Sequence, residues 1–374
     1  MNIGLEELGW NERFQKEFDA VNDGTLVPAR VVRENRGEYV VSTGESTAIA
    51  RLPGVERLGK MDSAAYPTVG DWLALEKVAG GDDFLVRSFL PRSSLFERKV
   101  VGEATRHQSI VANFDSLFLV TGLDLDFNTA RIQRYLSLAW NSRQELVIVL
   151  NKADLREDLP EILQEVRSVA GEVPVHAVSA HDRSSLDCLF EYIGKGKTVA
   201  LLGSSGVGKS SLVNAFLGED RLLTQQNRAA DGRGRHTTTW RELQAIPSGG
   251  VLIDLPGMRE LQLTGEGDGV DKTFEDVEEL MLQCRFRNCR HEGEPGCAID
   301  AAIKDGRLAA SRYEQFLKLS QEHAIAKARR EARDKAIAAR RRQVNVKEGV
   351  AKKGKTRRQK NANRSRDLID GAKD

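Results

Sequence analysis

No stretch of this 374-residue chain approaches the roughly 18 consecutive apolar residues that span a bilayer. The opening residues, MNIGLEELGWNERFQ, interrupt any apolar run with charges, so no secretory signal is expected. A cytoplasmic chain with no membrane partner is the expectation. Cysteine is scarce: there are four, Cys188, Cys284, Cys289 and Cys297. Three fall within fourteen residues and the fourth stands apart, which in a cytosolic protein argues for metal rather than disulfides. An excess of charge is missing too, because the net is +1. The balance is uneven, however. Residues 326–374 hold 18 Lys and Arg against 6 Asp and Glu, a net of +12, which leaves 38 basic and 49 acidic residues, −11, in the remainder. A basic arm on a near-neutral protein points to a polyanionic partner, with nucleic acid favoured over a solvated tail.

The length suits two or three domains, and 40% hydrophobic residues is ordinary for a globular chain. Five units are expected. Residues 1–24 read as a short helix with Leu5, Leu8, Trp10 and Phe14 on its apolar side. Residues 25–95 carry short β-rich runs, ARVVRE, EYVVST, STAIARL, DWLALEKV and DFLVRSFL, separated by Gly turns. They predict a small β-barrel, OB-like or SH3-like, which periodicity alone does not separate. Over 105–265 strands and helices alternate. SLFLVTG, ELVIVL, VPVHAVSA, TVALLG and VLIDLPG read as strands; TARIQRYLSLAWNS, LPEILQEVRSVAG, SLDCLFEYI and SSLVNAFLG read as helices. This is the pattern of an α/β domain with a parallel sheet covered on both faces. Residues 271–325 read as a helical unit holding the cysteines, and 326–374 as a basic tail too poor in apolar residues to fold alone.

Gly203-Ser204-Ser205-Gly206-Val207-Gly208-Lys209-Ser210 matches G-x-x-x-x-G-K-[ST], with a strand before it and a helix after it. Glycines let backbone N–H groups surround phosphates, and the helix presents its positive end to the same anion. Lys209 reaches the outer phosphates, Ser210 holds Mg²⁺, and the expected nucleotide set runs on to Ser211. Asp254-Leu255-Pro256-Gly257 closes the next strand as D-x-x-G. Its carboxylate would hold Mg²⁺, and the Gly257 N–H would sense the γ-phosphate.

Asn151-Lys152-Ala153-Asp154 follows ELVIVL. A carboxylate at Asp154 can accept from guanine N1–H and the 2-amino group, which adenine does not offer. Asn151 can bridge the base edge and the phosphate loop, and the Lys152 stem can lie along the ring. Ser179-Ala180, ending another strand, can place a backbone N–H on guanine O6. GTP is therefore expected over ATP. In ordinary GTPases the phosphate motifs precede the base motifs; here Asn151 and Ser179 precede Gly203 and Asp254. This inverted order resembles the circularly permuted GTPases. A parallel sheet survives such a cut where the old ends lie close.

Cys284-x4-Cys289-x-His291-x5-Cys297 supplies three thiolates and one imidazole, a full tetrahedral Zn²⁺ set with no open position, and so a structural site. Arg285, Arg287 and Arg290 lie among the ligands and, with Lys352, Lys353, Arg357 and Arg358 of the tail, are candidates for salt-sensitive phosphate contact. Cys188 is expected on the apolar side of a helix, in the core.

Together with SIVANFDSLFLVTG leading to RYL, NKADL, GSSGVGKSSLVN, GRGRHTTT, DLPGMRE and the Cys/His run, the chain resembles the RsgA/YjeQ family of ribosome-small-subunit-dependent GTPases over about residues 25–320. The resemblance implies an OB-fold, a permuted GTPase domain and a zinc domain. It also implies late maturation of the small ribosomal subunit and its rRNA, with GTP hydrolysis stimulated by that subunit. One hydroxyl of Thr237-Thr238-Thr239 is expected to complete the Mg²⁺ shell, and the resemblance favours Thr238. Met258 stands where Ras-like enzymes carry a water-orienting Gln. His236 is the nearby alternative and resembles the family's catalytic histidine; a phosphate or RNA contact is the other role open to it. Slow intrinsic hydrolysis and a large gain on partner binding follow. A monomer is expected, with GTP, GDP and other assembly factors as further partners. The rival readings are a nucleotide-gated RNA-binding checkpoint and a signalling GTPase with a protein effector.

Overall fold

A computed structural model of the chain describes residues 4–35, 37–54, 66–99, 107–124, 127–142, 144–218, 241–255 and 269–328, together with 331, 332 and 335. His236, Thr238, Gly257, Met258 and the tail beyond 335 lie outside the described residues. Among those described, no helix is long and apolar enough to cross a membrane.

The sequence predicts one helix for the N-terminal segment; the helix proper, α1, runs only over Glu12–Asp19. Asn11 begins it, its side chain accepting from the amides of Arg13 (3.1 Å) and Phe14 (3.2 Å). That cap satisfies two amides at the helix start. The preceding residues form turns instead, and Leu8, Phe14 and Phe18 are buried together.

Five strands follow: β1 (Val27–Asn35), β2 (Glu38–Ser42), β3 (Thr47–Arg51), β4 (Trp72–Lys77) and β5 (Phe84–Phe89). They pair in the order β1-β2-β3-β5-β4, and β4 returns to β1, which closes a five-stranded barrel. The β3–β5 pair is parallel, with Ala50 opposite Phe84. This connection gives the OB-like topology that the run lengths alone could not distinguish from an SH3-like one. Ala29, Val31, Tyr39, Val41, Leu73, Leu75 and Val86 fill the barrel. A hairpin not assigned from sequence, β6 (Leu95–Lys99) and β7 (His107–Ala112), leads out of it.

The second unit is built on β8 (Ser116–Gly122), β9 (Glu145–Asn151), β10 (Val175–Ala177), β11 (Thr198–Leu202), β12 (Glu242–Ala245) and β13 (Val251–Asp254). Their order is β10-β9-β8-β11-β13-β12, parallel except for the antiparallel edge strand β12. Alternate residues face opposite sides. Leu117, Leu119, Ile148, Leu150, Ala200 and Leu202 pack against α2 (Thr129–Ala139) and α3 (Leu159–Ala170). Phe118, Val120, Val147, Val149, Val199 and Leu201 pack against α4 (Lys209–Leu217). Burial on both faces explains why these strands read as continuous apolar runs. The segment expected as a helix over SLDCLFEYI is instead a 3₁₀ run, Arg183–Leu189. At three residues per turn, Leu186 and Leu189 share a face and are buried. Cys188 falls on the other side and is exposed, so it is not the core residue expected.

Barrel and sheet join where β1 pairs with β12, Arg33 opposite Glu242. The buried Arg30 ties the same junction together. Its guanidinium donates to Leu8 O, to Gly70 O (3.2 Å), to Asn113 O (2.6 Å) and to Thr198 Oγ1 (2.8 Å), and it lies over the Trp72 ring. Burial pulls its pKa down to about 10, against the opposing pull of Asp115 and Asp71, so it stays charged at neutral pH.

The C-terminal unit contains α5 (Gly269–Thr273), α6 (Glu275–Leu282) and α7 (Ala298–Lys304), then a helical run over 310–328. Phe274, Val277, Ile299, Leu308, Phe316 and Leu319 make its core. Arg312 makes a two-pronged bond to Asp276 (2.6 and 2.7 Å), which fixes the long helix to α6.

Candidate functional site

In a parallel sheet the carboxyl ends of the strands share one edge, and ligands bind there. β9 ends at Asn151, β11 at Leu202 and β13 at Asp254, so the NKAD segment, the glycine-rich loop and the D-x-x-G aspartate meet at one edge. The loop passes from β11 into α4, whose first residue is Lys209. Gly208, the residue before it, has φ +92°, and a Cβ there would overlap the Asn151 amide nitrogen. Glycine suits the position, because the left-handed backbone disfavours a side chain and the close approach to Asn151 leaves no room for one.

Lys209 is buried, its ammonium donating to Gly203 O and Ser204 O (both 2.9 Å). Burial lowers its pKa, and the Asp254 carboxylate opposes that shift. The next residue, Ser210, donates from Oγ to Asp254 Oδ2 at 2.9 Å. A hydroxyl and a carboxylate side by side at a helix N-terminus are the hard oxygen donors that suit Mg²⁺ with a phosphate. Ser204, Ser205, Gly206, Val207 and Ser211 lie in or beside the loop, and Val207 packs into the core.

Asn151 is 1% exposed and bridges two segments. Its Nδ2 donates to Val207 O in the loop (2.9 Å), and its Oδ1 accepts from the Ala180 amide (3.1 Å). Lys152 has φ +66°, and its ammonium lies between Gly206 O (2.7 Å) and Asp124 Oδ2 (2.6 Å). Ala153 opens a 3₁₀ turn and donates its amide to Val178 O (3.0 Å). Asp154, in the same turn, is exposed. Ser179 is buried, and its amide donates to Ser185 Oγ at 2.9 Å. On the base side, Asn151 and Lys152 are thus joined to the loop residues Val207 and Gly206 by direct hydrogen bonds.

Two contributors were not singled out from sequence. Asp124 anchors Lys152, and the Tyr135 hydroxyl sits 2.7 Å from Ser204 Oγ. Asp124 follows the end of β8 and Tyr135 lies midway along α2, both far from the motifs in sequence, so only an acidic residue after SLFLVTG and a tyrosine in a buried helix were visible.

Apart from this site, Cys284, Cys289, His291 and Cys297 place their ligand atoms within 4.8 Å of one another, a group that can hold a metal ion. His291 Nδ1 lies 3.5 Å from both Cys284 Sγ and Cys297 Sγ. The Ala298 amide points at Cys284 Sγ (3.3 Å), and the Asp300 amide at Cys297 Sγ (3.5 Å). Such amides stabilise thiolates, the form that binds metal.

The family model described as RsgA GTPase matches residues 89–264. A relative from Xanthomonas axonopodis pv. citri, named small ribosomal subunit biogenesis GTPase RsgA, is 43% identical over 326 residues, 86% of each chain. One of the same name from Streptomyces coelicolor is 41% identical over 335 residues, 89% of this chain and 90% of that one. Among solved structures, YjeQ from Thermotoga maritima is 28% identical with a TM-score of 0.57, covering 80% of this chain and 99% of that one. YloQ, titled a circularly permuted GTPase, has the same fold at 24% identity and a TM-score of 0.53, covering 82% of this chain and 98% of that one. With these relatives, the inverted motif order and the closed barrel, this chain belongs to the RsgA family of GTPases.

Proposed function

We propose that this chain is a cytoplasmic, monomeric GTPase that binds the small ribosomal subunit and its rRNA and assists late subunit maturation, hydrolysing GTP to GDP and phosphate when bound. The observation that carries the nucleotide reading is the Asn151 bridge, which joins the guanine-reading segment to the phosphate loop at 2.9 and 3.1 Å. The partner comes from the names of the relatives. Asp154 reads the guanine, with Asn151, Lys152, Ala153, Ser179 and Ala180 around the base. Residues from Gly203 to Ser211 hold the phosphates, with Asp254 and Gly257 beside them. Ser210 and Asp254, joined by Thr238, hold Mg²⁺, which supplies charge neutralisation on the phosphates. His236 orients the attacking water. Working boundaries for the units are 25–95, 105–265 and 271–325.

The metal group takes a structural Zn²⁺. Zinc bonds of about 2.3 Å to sulfur and about 2.1 Å to nitrogen, at a tetrahedral angle, put S and N about 3.6 Å apart. The Sγ to Nδ1 separations of 3.5 Å support this.

Single-turnover GTP hydrolysis, with and without purified small subunits, tests the function. Because the chain has Met258 in the water-orienting position, a slow basal rate and a gain of up to order 10⁵ are expected. No stimulation by subunits removes the proposal, and equal stimulated rates for wild type and His236→Ala remove the histidine role.

A further inference from the structure

Helix α2 carries contacts on two sides. One faces the phosphate loop: Tyr135, 3% exposed, places its hydroxyl 2.7 Å from Ser204 Oγ. Burial raises the Tyr135 pKa, so the phenol keeps its proton at neutral pH and can share it with the serine. Residues two apart on a helix point about 200° away from each other, whereas residues three apart are neighbours. Arg134 and Ser137 therefore share the other side, and both reach the C-terminal unit.

Ser137 Oγ is 3.2 Å from Thr273 Oγ1. The Arg134 guanidinium is 2.8 Å from the Glu322 carboxylate, on the helical run that packs over the metal group. Gly269, the first residue of α5, lies so close to the Ser137 carbonyl that a Cβ there would overlap it. The Lys272 ammonium sits over the Trp140 ring just past the end of α2, 5.7 Å from its centroid. α2 is thus a three-turn rod with the phosphate loop on one side and the metal-bearing unit on the other.

We infer that Tyr135 is a positioning residue of the phosphate loop, and that through it α2 transmits nucleotide occupancy to the metal-bearing unit. Ser204 belongs to the loop that must close around phosphate, so its hydroxyl partner moves with the loop or restrains it. The close fit at Gly269 leaves no slack, so a shift of α2 displaces α5. This route is separate from the chain segment that leads from Asp254 to Gly269. The inference rests on the nucleotide reading above.

The test is hydrogen exchange on the full chain, alone, with GDP and with a non-hydrolysable GTP analogue. It is read at the amides of 269–282 for wild type, Tyr135→Phe and Ser204→Ala. Fluorescent-nucleotide titration is run in parallel. Wild type is expected to bind and to change its exchange over 269–282. Loss of the hydroxyl pair lowers affinity by about 2- to 10-fold, the reach of one hydrogen bond. At saturating nucleotide, either substitution cuts the exchange response by about threefold or more. Tyr135→Phe keeps the ring and its packing, and Ser204→Ala leaves the helix untouched, so a shared loss points to the hydroxyl pair rather than to damaged packing. A full response in either variant overturns the inference, as does a wild type that binds nucleotide without any response. A wild type that binds no guanine nucleotide fails earlier, at the nucleotide reading itself.

Discussion

Replacing Asn151 by alanine separates a brace from a base contact. The side chain is buried and makes two hydrogen bonds before any nucleotide is considered, to Val207 O and from the Ala180 amide. Truncation leaves a carbonyl and an amide without partners. Each costs about 1–3 kcal/mol when buried, so a destabilisation of about 2 kcal/mol or more is expected. At about 2–4 °C per kcal/mol for a unit of 150–250 residues, the thermal midpoint of the nucleotide-free protein should fall by about 4–8 °C. A domain with several kcal/mol of stability stays folded after such a loss, so the destabilisation by itself leaves GDP affinity within about 2-fold, and a larger fall reports the hydrogen bond that Asn151 gives the base. Asn151→Asp keeps an acceptor for Ala180 but sets a carboxylate oxygen against Val207 O, and should be no better than alanine. Circular dichroism melts without nucleotide and fluorescent GDP titrations measure both quantities. A midpoint unchanged from wild type, together with weakened GDP binding, would refute the brace and leave Asn151 as a base contact alone.

Further outcomes follow from the same geometry. Gly208→Ala combines a left-handed backbone with a collision against Asn151, and should weaken GDP binding by about 10-fold or more in the same titration. Metal analysis of the purified chain should find zinc, and Cys297→Ser should lose it; amide exchange over 284–297 should then rise to near-unprotected rates, because metal binding and folding are coupled in so small a unit. Gly269→Ala should lower the thermal midpoint by several degrees while leaving zinc content unchanged, since its Cβ would meet the Ser137 carbonyl and not the metal group. Removing residues 343–374, which carry a basic excess, should flatten the salt dependence of co-sedimentation with small subunits; an unchanged slope would free the tail from phosphate contact.

The sequence by itself determined which residues are the candidates for each site. Gly203 to Ser210, Asn151 to Asp154 and the three cysteines with His291 are contiguous or closely spaced, and each short run needs particular residue types at particular steps. Their order along the chain disclosed the permutation without any coordinates. The fully buried strands were legible because burial on both faces leaves no polar alternation to misread.

What depends on residues far apart in sequence was decided by the tertiary structure. The barrel type rests on β3 pairing with β5 and β4 with β1, which run lengths do not encode. The short helix at Glu12–Asp19 and the 3₁₀ run that exposes Cys188 depend on what packs against them, and local apolar spacing fits a longer helix equally well. The hydrogen bonds that make the site one object join positions 28 to 69 residues apart: Asp124 with Lys152, Asn151 with Val207, Tyr135 with Ser204. A motif records which groups do the chemistry. Which side chains hold those groups still is settled only by the fold, because any polar residue of suitable reach serves and proximity comes from chain packing.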